Sequence, residues 1–165
     1  MSETSREFPI RAAPYLHQRK AAAFALERLE SGGGAALLME MGTGKTLTTI
    51  AIVGRLWQGK RIQRLLVVAP LSILGVWEDE FRKFADYDYS LAVLEGTGAR
   101  KIDTIRHMTG ATLQVLVVTY ASACRLDKEL AAWTPDCIVC DEGHQIHTHT
   151  IAASKALTRP GARVP

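Results

Sequence analysis

The run Met41-Gly42-Thr43-Gly44-Lys45-Thr46 gathers what is needed to hold a phosphate chain. Glycines let backbone amides turn inward around phosphate oxygens, and a helix opening behind them adds partial positive charge. Lys45 reaches the terminal phosphates, and the Thr46 hydroxyl is a ligand for Mg2+. The strict phosphate-loop pattern carries a further glycine five residues before Gly44, where this chain has Met39, which disfavours a general nucleotide-kinase or GTPase reading. A second set, Asp141-Glu142-Gly143-His144, brings two neighbouring carboxylates. One can hold Mg2+ through its water shell while the other orients or deprotonates an attacking water. The plainer alternative for the first set is a Gly-rich turn with an exposed lysine, which its strand-loop-helix setting disfavours, and the second, standing alone, reads equally as a solvated acidic turn. On one sheet edge they describe a site for a phosphate chain and Mg2+.

Such a site needs strands that end in loops and helices that begin there. Residues 14–30 carry Leu16, Ala23, Phe24 and Leu29 at roughly helical spacing, closed by Gly32-Gly33-Gly34. Residues 35–39 form an apolar run suited to a buried strand, ahead of the glycine-rich turn. Residues 46–58 read as a helix with Leu47, Ile50, Ala51 and Trp57 on one face. Further strands are expected at 65–69, 91–94, 113–119 and 137–140, and further helices at 73–84, 99–108 and 120–133. In 73–84, Leu74, Trp77, Phe81 and Phe84 recur every three or four residues, which makes Trp77 and Phe81 core residues. Continuously apolar strands alternating with helices predict an α/β fold: a parallel sheet with helices on both faces. Asp141 and Glu142 then fall at the end of the fifth strand, where ligand-contacting groups of an open α/β sheet belong.

Composition excludes some classes and leaves others open. A chain of 165 residues, 47% hydrophobic and 22% charged, has the makings of one globular domain rather than a disordered or fibrous protein. The net charge of +3 is compatible with a polyanionic partner without selecting one. Glu3 and Glu7 interrupt any signal-like N-terminus, and no apolar run is long enough to span a bilayer, so the chain reads as soluble, cytoplasmic and without a membrane partner. Three cysteines, an odd and small number, argue against a disulfide framework, and Cys137 and Cys140, three apart on a strand, point to opposite faces with no second pair to complete a zinc site.

Taken in order, these motifs resemble those of the Swi/Snf-type superfamily 2 helicases and translocases over nearly the whole chain. Leu16-His17-Gln18 is similar to the adenine-reading glutamine motif, and 41–46 to motif I. Residues 68–74 with Trp77 and Phe81 are similar to motif Ia, Val118-Thr119-Tyr120 to motif Ib, and 141–144 to motif II. The resemblance implies a RecA-like P-loop NTPase lobe over 14–165, behind an N-terminal leader of 1–13. It implies that Gln18 contacts adenine, that Gly42, Thr43, Gly44, Lys45 and Thr46 bind phosphate and Mg2+, that Asp141 holds the Mg2+ shell and that Glu142 is the catalytic base. His144 would couple the ATP site to DNA. Pro70, Ser72, Thr119 and Tyr120 would lie near the backbone of double-stranded DNA, whose phosphates accept contacts without revealing sequence.

The chain also departs from that family. Glu40 and Thr43 give motif I a form that other superfamily 2 branches share, and 145–149 replace a basic, Asn-containing stretch. His144, His147 and His149 read as a polar loop rather than a metal site. The chain ends at Pro165, before the expected motif III and the second RecA-like lobe with its arginine fingers, so little turnover is expected from it alone. Two other readings stand beside this one: a non-catalytic nucleotide- or nucleic-acid-binding module, and a DEAD/DEAH-like or restriction-type helicase lobe acting on single strands or RNA.

Overall fold

Two stretches, Leu65–Ala69 and 113–118, are buried residue after residue, the mark of strands in a sheet covered on both faces. In the computed structural model, which describes residues 7–37, 39 and 42–141, they form the centre of a four-stranded parallel sheet. The strands are β1 (Arg64–Ala69), β2 (Tyr89–Val93), β3 (Leu113–Thr119) and β4 (Cys137–Cys140), in the order β2-β3-β1-β4. Every pairing is parallel, with Val68 opposite Val118 on one side and Cys140 on the other. The outer strands β2 and β4 are mostly half-buried. The described residues also form six helices: α1 (Leu16–Glu30), α2 (Lys45–Gln58), α3 (Leu74–Phe84), α4 (Gly98–His107), α5 (Tyr120–Arg125) and α6 (Asp127–Trp133). The predicted α/β class with a parallel sheet is what the chain adopts.

The described residues divide into two compact units. One comprises the chain up to Arg61 together with Asp79–Asp88, and the other Ile62–Glu78 together with the chain from Tyr89 onward. The second unit holds the whole sheet. One face of the sheet, through Leu66, Val68, Leu116 and Val118, packs against Ile105 of α4, Ala123 of α5 and Leu130 and Trp133 of α6. Polar ties set the start of the sheet. The Asp136 carboxylate accepts from the backbone N–H groups of Gln63 and Arg64 at 2.8 and 2.9 Å, and the Arg64 guanidinium donates to the Trp133 carbonyl at 2.7 Å. The buried Trp133 indole in turn donates to the Met108 carbonyl at 3.1 Å, satisfying a group that burial would otherwise leave costly.

In the first unit α1 packs on α2, whose buried residues Thr48, Ile50–Gly54 and Leu56 run well beyond one stripe, as in a helix covered on more than one side. The chain before α1 joins this unit. Phe8, Pro9 and Ile10, within the segment read as a leader, are buried; Ile10 bridges Ala85, and Pro9 accepts from the Asp86 N–H at 3.0 Å. Gly54 lies where this segment and Tyr87 cross α2. A Cβ there would stand 2.5 Å from Tyr87 Cε1 and 2.6 Å from Pro9 Cγ, inside contact distance of two rings that cannot fold away. Gly54→Ala gains about 1 kcal/mol in helix propensity but is expected to lose more to overpacking, about 1–3 kcal/mol. Thermal unfolding of the chain checks this: a melting temperature raised by the substitution would refute the close approach.

Three expectations are corrected. Residues 35–37 and 39 make no strand; Ala35 and Ala36 are exposed, and the run pairs with no described strand. An apolar run supplies side chains for a strand but not the second backbone that its ladder requires. Residues 120–133 form two helices rather than one, broken at Leu126 (φ −108°, ψ 24°), which is itself buried in the core. On α1 the buried positions are Gln18, Ala22 and Ala25, while Phe24 is 50% exposed and Leu16 and Ala23 are also exposed: small residues, not large ones, face α2. Among the described residues no helix is long and apolar enough to cross a membrane.

Candidate nucleotide-binding site

The phosphate loop is built by two left-handed glycines. Gly42 (φ +78°) and Gly44 (φ +83°) adopt a conformation that costs a side-chain-bearing residue about 1–2 kcal/mol, and Gly44 is the N-cap of α2. Lys45 is the first residue of that helix. Its first turn contains no acidic residue, so the positive end of the helix dipole is not neutralised from within. The turn is stiffened by hydroxyls: Thr48 donates to the Gly44 carbonyl at 3.0 Å and Thr49 to the Lys45 carbonyl at 2.9 Å. The Lys45 ammonium donates to the Met39 carbonyl at 3.1 Å, folding back over its own loop, and Thr46 is half-buried beside it in the sequence. Backbone amides at an uncompensated helix start, an ammonium and a hydroxyl make a donor set that fits a polyphosphate and its divalent cation.

Gln18 braces this loop. It is 3% exposed, and its amide nitrogen donates to the Thr43 carbonyl at 2.9 Å while its amide oxygen accepts from the Tyr15 N–H at 2.8 Å, capping the start of α1. His17 Nε2 lies 3.3 Å from the same Thr43 oxygen, and the His17 ring stacks on Tyr15 with centroids 5.8 Å apart. The sequence reading picked out Gln18 for adenine and missed its work as a brace. The signal was present, because a glutamine at the third helical position is the residue that reaches back to cap its own helix.

In the second unit the candidate acid stands at the C-terminal ends of β1, β3 and β4. Asp141 follows β4 directly and is held at three points. Its N–H donates to the Val68 carbonyl at 2.9 Å, its carbonyl accepts from the Tyr120 hydroxyl at 2.6 Å, and its carboxylate Oδ2 accepts from the Trp77 indole N–H at 3.0 Å. Thr119 caps α5, its hydroxyl oxygen accepting from the Ser122 N–H at 3.1 Å. Pro70 is half-buried and opens a 3-10 turn over Leu71–Ile73, on which Leu71 and Ser72 are exposed. Of the four residues expected near a nucleic-acid backbone, then, Ser72 is turned to solvent, whereas Thr119 and Tyr120 spend hydroxyls on the protein itself. Trp77 was read as core alone; it is core, and it also touches Asp141.

Gln18 and the phosphate loop belong to the first unit, and Asp141, Trp77 and Tyr120 to the second. Glu142 and His144, with His147 and His149, lie outside the described residues, as do Glu40 and Met41. Burial pushes the Cys137 thiol up to about 11, with the Asp136 carboxylate adding to it, and burial also raises Cys140. Both therefore stay protonated near neutrality, and among the described residues no group of three or more His, Cys, Asp or Glu gathers to hold a metal.

The family model that matches is described as SNF2-related domain, and it covers residues 17–162. The chain is 33% identical over 120 residues to the ISWI chromatin-remodeling complex ATPase ISW2 of Saccharomyces cerevisiae, covering 72% of this chain and 11% of that protein. It is 32% identical over 157 residues to the DNA repair and recombination protein RAD54-like of Drosophila erecta, covering 86% of this chain and 20% of that protein. Among solved structures it is similar to the Sulfolobus solfataricus SWI2/SNF2 ATPase core in complex with dsDNA, with a TM-score of 0.73 and 28% identity, covering 94% of this chain and 31% of that one. The chain thus spans no more than a fifth of the curated relatives and under a third of the solved chain.

Proposed function

The chain belongs to the SNF2-related domain family, and from that premise we propose that it is the ATP-binding and hydrolysing lobe, over 14–165, of a DNA-dependent superfamily 2 translocase, acting with a second RecA-like lobe. The observation that carries the reading is the pair of left-handed glycines feeding Lys45 into the uncompensated start of α2.

In this reading the loop amides of 42–46 and the Lys45 ammonium bind and orient the phosphates of ATP. Gln18 holds the loop through Thr43 and has one further N–H and one lone pair to offer the adenine edge. The Thr46 hydroxyl and the Asp141 carboxylate serve Mg2+, which when bound neutralises charge on the phosphates. Glu142 orients and deprotonates the attacking water, and His144 passes the state of the nucleotide toward DNA. Pro70 and Ser72, with the backbone at Thr119 and Tyr120, lie toward the DNA phosphates, contacts that hold a duplex without reading its sequence. Duplex DNA as the partner is supported by the solved relative bound to dsDNA and by the curated relatives' names, which concern DNA repair and chromatin remodeling. The SNF2-related match favours this branch over a DEAD/DEAH-like or restriction-type lobe.

The test compares ATP turnover with duplex DNA, single-stranded DNA and RNA, using this chain joined to a second RecA-like lobe. Stimulation by duplex DNA above the other two is expected, with loss of turnover in Glu142→Gln. Stimulation by RNA or single strands alone would move the chain to the rival helicase branches, and turnover indifferent to Glu142→Gln would leave only a binding module.

A further inference from the structure

Asp141 is half-buried just beyond the end of β4. Its main chain is fixed at both polar atoms, by Val68 and by Tyr120, so the only remaining freedom is the rotation of its carboxylate. On that carboxylate acts the indole of Trp77. Trp77 is 2% exposed, it sits on α3 three residues after the fully buried Leu74, and its N–H meets Oδ2 at 3.0 Å. An indole N–H is a donor only, so unlike a hydroxyl or an amide it cannot turn round and offer a lone pair when the acid changes state. Nor can it reach water instead, because the ring is enclosed and a buried unpaired N–H costs free energy. A donor of fixed polarity on a ring locked by packing is the kind of outer-shell partner that sets the angle of a metal-serving carboxylate.

Resting on the proposed nucleotide-binding function, we propose that Trp77 is a positioning residue for Asp141: the indole N–H sets the carboxylate rotamer on which the Mg2+-dependent part of nucleotide binding relies. Trp77 is thereby given a task separate from filling the core. A residue that only fills space supports binding with and without the cation alike, whereas a residue that aims Asp141 supports the cation-dependent part alone.

The experiment titrates a fluorescent ATP analogue into the chain at saturating Mg2+ and in excess EDTA, and then titrates Mg2+ at fixed nucleotide, for the wild type and Trp77→Phe. Trp77→Phe is expected to leave the EDTA affinity within twofold and to raise the Mg2+ midpoint by roughly tenfold, the scale on which outer-shell partners act. Equal losses with and without Mg2+, or no change in the midpoint, overturn the positioning role while the function stands. A folded wild type that binds no nucleotide in either condition overturns the function and the positioning role together. Should Trp77→Phe fail to fold, the indole 15N–1H resonance of Trp77 in Asp141→Asn decides the matter: a shift of that resonance relative to wild type supports the contact, and an unmoved one overturns it.

Discussion

Lys45→Ala is expected to weaken Mg2+-nucleotide binding by this chain by about 10- to 100-fold, the range that follows from losing a charge-assisted hydrogen bond of about 1.5–3 kcal/mol. Lys45 is the one side-chain cation among residues 41–46, and it begins a helix whose first turn holds no acidic residue. In the structure its ammonium rests on the Met39 carbonyl at 3.1 Å, a neutral acceptor that a phosphate oxygen outcompetes on charge. The amides at the start of α2 persist in the variant, so some affinity for the nucleotide should remain. Lys45→Arg should not restore the rest, because a planar fork cannot take the place of a compact ammonium in a loop closed on itself. Fluorescent-analogue titration reads both variants. Wild-type affinity in Lys45→Ala would mean that the phosphates go elsewhere.

The second large effect is expected at Gly44. Alanine there meets two independent penalties. The backbone must stay at φ +83°, worth about 1–2 kcal/mol for an L residue, and the new Cβ would fall 2.3 Å from Gln18 Nε2. Gln18 would have to leave the Thr43 carbonyl, stranding a buried amide at about 1–3 kcal/mol. Gly42→Ala is the control: it has the same backbone handedness, φ +78°, and nothing within 4 Å of its Cβ. Gly44→Ala should therefore destabilise the chain more than Gly42→Ala in denaturant unfolding and also abolish tight nucleotide binding. Adding Gln18→Ala to Gly44→Ala should cost less than the sum of the single changes, since the clash disappears with the amide. Strict additivity would remove the clash from the explanation.

Much of the fold could be read ahead because β1 and β3 hold unbroken apolar runs, Leu65–Ala69 and Val115–Val118, a pattern that a sheet covered on both faces sustains, and because the loop at 42–44 carries its own glycines. What escaped the reading depended on partners distant in sequence. The run at 35–39 has strand-like side chains, but nothing within it says which backbone it would ladder with. The break at Leu126 has no proline or glycine to announce it; a buried leucine in the core of the second unit accompanies the bend. On α1 the large side chains drew attention, whereas Ala22 and Ala25 allow the close approach to α2. At the site, the motif order assigned Gln18, Lys45 and Asp141 by type. The hydrogen bonds of Gln18 to Thr43, across 25 positions, and of Trp77 to Asp141, across 64, lie beyond any local pattern.

Because one amide group caps Tyr15 with its oxygen and grips Thr43 with its nitrogen, the beginning of α1 cannot fray without slackening the loop, and the loop cannot open without uncapping the helix. Hydrogen exchange sorts a protein into segments that open together. By this linkage the amides of Tyr15 and of the loop belong to one such cooperative segment, although nearly thirty residues of chain, most of them the helix itself, separate them. The far end of the helix thereby becomes a gauge of how firmly the loop is closed.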